Sequence, residues 1–216
     1  MIKQKNEKIK AIISDIGNVI VPVNLSLWVS LFEEIGVYLP GHPMEDKALL
    51  ALVELYCTGG IDTREFKAQV AKQAGLRDIP FEHFCPAWNK VILSIRQPVI
   101  DGLKALQSQG YRLYALSDIN ELHIAYIEEL YNPGQSMATF SQLFDACYYS
   151  HLTGYTKGSD EAWLKILNDH DLKPSECFFI DDYPSNIERA TRLGFPVFHF
   201  QPDSTIEDVT RALETL

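Results

Sequence analysis

Five short apolar segments recur along this chain, at residues 9–14, 111–116, 146–149, 177–180 and 197–200. Each is rich in β-branched or aromatic residues and too short for a helix, so each reads as a buried strand. Helical patterns separate most of them. Strands that alternate with helices pair in parallel and connect by right-handed crossovers, which gives an α/β, doubly wound sheet.

One interval breaks this rhythm. Between the first and second strands lie roughly ninety residues, far more than a crossover needs. The interval carries helical spacing at 25–35, 47–56, 62–74 and 81–92. Thr58-Gly59-Gly60 closes the second of these helices, and Asp62-Thr63-Arg64-Glu65 resembles a capping box that opens the third. Residues 21–92 therefore read as an inserted helical bundle, with residues 1–20 and 93–216 forming the sheet domain. Further helices are expected at 99–109, 121–130, 160–170, 185–193 and 206–213, with a turn at Asn132-Pro133-Gly134-Gln135.

Composition narrows the function. The chain has 19 basic and 29 acidic residues, a net charge of −10. No basic run stands out, so a nucleic-acid partner is not expected. A small phosphorylated metabolite remains compatible, because one lysine and one divalent cation supply enough local positive charge. Cys57, Cys85, Cys147 and Cys177 are widely spaced and form no zinc pattern, and they are expected as buried thiols. No apolar stretch reaches 18 residues, and the basic start lacks a signal-peptide core. A cytoplasmic protein without membrane attachment is the expectation, as a monomer or weak homodimer.

The chemistry lies just past the end of each strand. The first strand ends in Ser14-Asp15-Ile16-Gly17-Asn18, and the second in Ser117-Asp118-Ile119-Asn120. Thr156-Lys157-Gly158 comes after the third, and the fourth ends in Asp181-Asp182-Tyr183-Pro184-Ser185-Asn186. Ligands of open parallel sheets bind beyond the carboxyl ends of the strands, so these residues should converge. Taken singly, Asp15 reads as a turn or cap, Ser117 as a helix N-cap and Lys157 as a surface lysine. Together they suit phosphoryl transfer. Clustered carboxylates repel unless a cation sits between them, and oxygen ligands favour magnesium. Magnesium and a lysine neutralise phosphoryl oxygens, a hydroxyl holds another, and a carboxylate attacks phosphorus.

In these four ordered motifs the sequence resembles the haloacid dehalogenase superfamily, whose members are mostly phosphatases. The resemblance covers essentially the whole chain and implies a Rossmann-like core with a C1-type helical cap, as in its subfamily IA. The segments Asp15-Ile16-Gly17-Asn18-Val19-Ile20, Ser117–His123 and Phe179–Asn186 are similar to the branch of bacterial α-glucose-1-phosphate phosphatases. The resemblance implies Asp15 as nucleophile and metal ligand, with the Gly17 carbonyl and Asp182 as further magnesium ligands. It implies that Asp181 and Asn186 support the metal, and that Ser117 and Lys157 hold the phosphoryl group with Asp118 beside them.

One departure bears on the reaction. Most phosphatases of this superfamily carry a general acid two residues after the nucleophile, where this chain has Gly17. Loss of a general acid costs about 10²–10⁴-fold in rate, and less when the leaving group is already acidic. An anomeric oxygen is more acidic than an ordinary alcohol, so a sugar-1-phosphate is the expected substrate among sugar phosphates. The alternative is a relative that binds a phosphorylated ligand or partner and regulates without turnover. A dehalogenase is disfavoured by Gly17 and the Asp181–Asp182 pair, and a phosphomutase by the missing acid. His123, just after the second motif, either faces the crevice or caps its helix. Trp28, Tyr38, His42, Tyr56 and Trp88 lie in or beside the insertion, where aromatic residues mostly build core.

Overall fold

The computed structural model describes residues 6–36, 45–134 and 139–216. Five parallel strands form one sheet in the order β3-β2-β1-β4-β5: β1 Ala11–Ser14, β2 Arg112–Ser117, β3 Ala146–Tyr149, β4 Cys177–Asp181 and β5 Val197–His199. The chain winds outward from β1 to β2 and β3, then returns to the other side of β1 for β4. That reversal opens a crevice at the carboxyl ends of β1, β2 and β4. Strands β1 and β4 are buried throughout, as expected of strands covered on both faces.

Alternation along the strands builds two cores. On one face Ile13, Tyr114, Leu116 and Phe179 pack against Trp163, Ile166 and Ala190. These come from α8 Asp160–His170 and α9 Pro184–Leu193. On the other face Ile12, Leu113, Phe178 and Ile180 meet α5 Gln97–Ser108 and α10 Ile206–Glu214. Trp163 sits 4.7 Å from the Phe179 ring and 5.4 Å from that of Phe195, and its Nε1 donates to the Lys157 carbonyl at 3.0 Å. Trp163→Ala should therefore cost about 3–5 kcal/mol of stability by cavity formation. A urea titration against the unsubstituted protein checks this.

Between β1 and β2 run α1 Trp28–Glu34, α2 Lys47–Cys57, α3 Thr63–Gln73 and α4 Phe81–Asn89. Aromatic rings fill their centre. Tyr56 stacks on Phe66 at 4.3 Å, Trp28 on Trp88 at 5.2 Å, and Phe66 meets Trp88 edge-on at 4.8 Å. Tyr38 and His42 lie outside the described residues. Helix α4 ends at Asn89, three residues before the expected end. There the chain pairs with the incoming linker instead: Asn24 N–H donates to the Val91 carbonyl at 2.8 Å and Leu93 N–H to that of Pro22 at 3.0 Å, around an antiparallel Val23–Ile92 bridge.

The insertion meets the sheet domain at α6 Glu121–Tyr131 and α7 Ser150–Thr153. Ser150 Oγ donates to the Cys57 carbonyl at 2.6 Å, Thr63 Oγ1 to Glu121 at 2.6 Å, and the Leu122 N–H reaches the Tyr56 hydroxyl at 3.3 Å. Gly59 has φ +71°, and a Cβ there would stand 2.2 Å from the His151 carbonyl oxygen, so only glycine permits this close approach.

Two details differ from expectation. Asp62 Oδ1 accepts from Glu65 N–H at 2.8 Å, which is one half of a capping box, while the Glu65 carboxylate accepts from Gln69 Nε2 at 3.4 Å. Cys177 is buried, whereas Cys57, Cys85 and Cys147 are only half-buried, because they flank the apolar clusters; all four are free thiols. The turn at 132–135 is described only through Gly134. Among the described residues no helix is long and apolar enough to cross a membrane.

Candidate active site

Asp15 follows β1 directly, and its backbone N–H still donates to the Ile180 carbonyl of β4 at 2.9 Å. The residue is 5% exposed. Its Oδ1 accepts from Ile16 N–H at 2.7 Å, and its Oδ2 lies 2.9 Å from Lys157 Nζ. The same ammonium contacts Asp181 Oδ2 at 2.6 Å. Lys157 is thus a buried bridge between two carboxylates rather than a solvated surface lysine. Its backbone is held too, because its N–H donates to Asp118 Oδ1 at 2.8 Å and its carbonyl accepts from Trp163.

Asp181 is fully buried and engaged on both oxygens. Tyr183 N–H donates to Oδ1 at 2.7 Å, and Asn186 Nδ2 reaches both oxygens at 3.1 Å. Asp182 is more open. Its Oδ2 accepts from Asn18 Nδ2 at 3.0 Å, and its carbonyl lies 2.9 Å from His199 Nε2. Asn18 has φ +51°, a left-handed conformation that asparagine tolerates. That turn is fastened by Val23 N–H on Asn18 Oδ1 at 2.9 Å and by Arg96, which donates to the carbonyls of Asn18 and Val19.

Asp15, Asp181 and Asp182 each offer an oxygen within 4.8 Å of the others. Among the described residues, Lys157 is the cation that forms ion pairs within this group, which therefore carries excess negative charge. Burial, first, pushes the Asp15 carboxyl up to about 7; Lys157 opposes this, while Asp181 and Asp182 add to it. Burial also raises Asp182. Burial by itself would lower the Lys157 ammonium, but Asp15, Asp181 and Asp118 more than offset it and the net shift is upward. A hard divalent cation suits three oxygen donors of this kind and favours their ionised form. The donor set therefore fits magnesium.

Asp15, Lys157 and Asp182 line a crevice of about 560 Å³ with Ser117, Asp118, Tyr183, Ser185 and Asn186, while Asp181 is buried behind them. Ser117 ends β2 and is 4% exposed; it does not cap α6, whose N-cap is Asn120. Asp118 lines the crevice as well, and its Oδ1 accepts from the Lys157 N–H. Gly17 has space beside it: a Cβ there would meet Asp15 Oδ2 and Val23 Cγ2 at 3.9 Å, ordinary contact distance. From the insertion, α2 presents Glu54 to the crevice.

His123 neither caps α6 through its side chain nor reaches the carboxylates. It stacks on Trp88 at 5.4 Å, with Nε2 3.1 Å from the Trp88 carbonyl and Nδ1 3.1 Å from Asn120 Nδ2. Burial holds its imidazole down at about 4. Sequence reasoning missed Arg96 and Glu54. Arg96 gains its place through contacts with Asn18 and Val19, far away along the chain, and Glu54 is only one charged position on α2 until the fold sets that helix beside the crevice.

No family model matches the chain. It is 26% identical over 198 residues to a D-ribitol-5-phosphate phosphatase of Bacteroides thetaiotaomicron, covering 91% of this chain and 93% of that protein. It is similar in structure to a HAD-like family hydrolase of Porphyromonas gingivalis, with TM-score 0.84 and 26% identity over 95% of this chain and 98% of that one. A HAD family enzyme of Bacteroides thetaiotaomicron, solved with magnesium and inorganic phosphate, superposes with TM-score 0.81 at 23% identity, covering 93% and 98%.

Proposed function

We propose, for a chain that belongs to the haloacid dehalogenase-like hydrolase superfamily and is a phosphatase, that it cleaves a small phosphate monoester through an aspartyl-phosphate on Asp15. The substrate class is a sugar phosphate, with sugar-1-phosphates preferred. The observation that carries this reading is the buried Asp15–Lys157–Asp181 bridge at the strand ends, beside an open crevice.

Magnesium, held by Asp15, Asp182 and the Gly17 carbonyl with Asp181 in support, would neutralise the phosphoryl oxygens and the carboxylates around it. Asn186 and the Tyr183 N–H fix Asp181, which in turn fixes the Lys157 ammonium. Lys157 and the Ser117 hydroxyl orient the phosphoryl group. Asp15 Oδ2 attacks phosphorus, and the bond from phosphorus to the ester oxygen breaks with its electron pair on the departing alkoxide. Water then attacks the aspartyl-phosphate. Its oxygen joins phosphorus, the acyl–phosphate bond returns its pair to Asp15, and protons pass to the alkoxide and the released phosphate. Residues 21–92 serve as a cap over the core of 1–20 and 93–216, excluding water and presenting Glu54 to substrate hydroxyls.

The missing acid at Gly17 favours one other reading, a protein that binds a phosphorylated ligand without turnover. Released phosphate separates the two. With magnesium, glucose-1-phosphate and ribitol-5-phosphate should yield phosphate, and EDTA should reduce the rate to background. Equal rates with and without EDTA would overturn the metal assignment. No release from any ester, together with a magnesium-dependent rise in Tm, would favour the binding protein.

A further inference from the structure

A second cavity opens beside the phosphoryl site. It measures about 200 Å³ and is walled by Trp28, Val53, Trp88, Ile92 and Ile127. Gly17, Val23, Leu25, Ser117 and Asp118 line both this cavity and the crevice, so the two are continuous at the reacting end.

The cavity has the size and chemistry of a ring site. An aliphatic cavity of about 150 Å³ is enough to take up benzene. The polar side chains deep inside are already committed to each other. His123 spends Nε2 on the Trp88 carbonyl and Nδ1 on Asn120, and Asn120 Oδ1 takes the His123 N–H at 3.0 Å and Trp88 Nε1 at 3.4 Å. A sugar ring placed there would have to bury several hydroxyls beside His123 and Asn120, which are already engaged. A flat ring with few polar atoms would not, and the stacked indoles of Trp28 and Trp88 offer it an aromatic wall.

The proton inventory points the same way. Gly17 brings no acid, the Asp118 carboxylate accepts from Lys157 N–H, and His123 has no proton to spare. A phenol has a pKa near 10, as the tyrosine side chain does, and departs as phenolate without a proton donor.

We infer that this enzyme has a further activity, hydrolysis of the phosphate esters of phenols, with the aryl group seated in the cavity between Trp28, Val53 and Trp88. The inference rests on the phosphatase reading above and uses the same steps. Asp15 bonds to phosphorus, the bond from phosphorus to the aryl oxygen breaks with its pair on phenolate, and solvent protonates the phenolate.

Three compounds test it: phenyl phosphate, cyclohexyl phosphate of similar size but with a poor leaving group, and the acyl phosphate acetyl phosphate, which leaves the cavity empty. Phenyl phosphate should exceed cyclohexyl phosphate in kcat by at least about 100-fold. Val53→Phe should lower the ratio of kcat/KM for phenyl over acetyl phosphate about 10-fold, mainly through KM. Because Val53→Phe could disturb folding, binding to Asp15→Asn with magnesium provides a second reading. Phenyl phosphate should change indole emission, from Trp28 and Trp88, and acetyl phosphate should not. An unchanged ratio in a folded Val53→Phe, or identical emission with both compounds, would overturn the aryl site alone. Failure to release phosphate from any of these compounds or from the sugar phosphates would overturn the phosphatase reading, and this one with it.

Discussion

Asp15→Asn should remove turnover without unfolding the protein. The expected loss in kcat is on the order of 10⁴-fold or more, the scale on which removing a covalent nucleophile acts. The amide is nearly the same shape, and Lys157 keeps its contact with Asp181. Stability should even rise in metal-free protein. The folded state raises Asp15 from 3.8 to about 7, chiefly by burial. A carboxyl raised in this way binds its proton more tightly when folded, so stability falls as pH rises from about 3.8 to about 7 and stays lower above that. Asparagine carries no such penalty. Thermal melts in EDTA should show the variant at or above the parent at pH 8, with the gap closing towards pH 4. A variant that melts far below the parent at pH 8 would mean that the Asp15–Lys157 contact holds the fold together, rather than serving the site at its expense.

Gly17→Asp should raise turnover, which few substitutions at an active site do. Residue 17 borders both the crevice and the apolar cavity, and its Cβ position meets nothing closer than 3.9 Å. On the proposed mechanism a carboxylic acid introduced there, next to Asp15, should reach the leaving oxygen. The gain should reach about 10²–10⁴-fold in kcat for esters of ordinary alcohols such as glycerol phosphate. It should shrink towards nothing for phenyl phosphate, whose leaving group needs no proton. Plotting log kcat against leaving-group pKa for parent and variant tests the idea, since the parent line should be steep and the variant line shallow. Parallel lines would mean that proton transfer from residue 17 does not limit the reaction.

The strands were legible because each is a short apolar run between polar turns, and 146–149 and the helix at 160–170 emerge with the expected bounds. The convergence of Asp15, Lys157 and the Asp181–Asp182 pair was legible because strand ends in a parallel sheet face one crevice. What could not be read depends on tertiary contact. Asn18 gains its role by reaching Asp182 across 164 positions, and Arg96 by reaching back to the Asn18 turn. The end of α4 was overestimated because the apolar pair Val91-Ile92 suits a helix or a strand equally, and pairing with residues 22–24 wins over another helical turn. Asp118 was legible as a strand-end residue beside the crevice, whereas the bond from the Lys157 N–H to its Oδ1 was not.

The paired linkers at 22–24 and 91–93 make the insertion a graft with a single stem. Its entry and exit are hydrogen-bonded side by side, so from the sheet the whole excursion looks like one hairpin. A long excursion whose ends already touch adds little closure entropy to the fold beneath it. Any rocking of the graft must bend both strands of the stem together, which confines it to one axis. The same stem is a natural splice point: a different bundle, or a tight turn, joined there would leave the registers of β1, β2 and β4 unaltered.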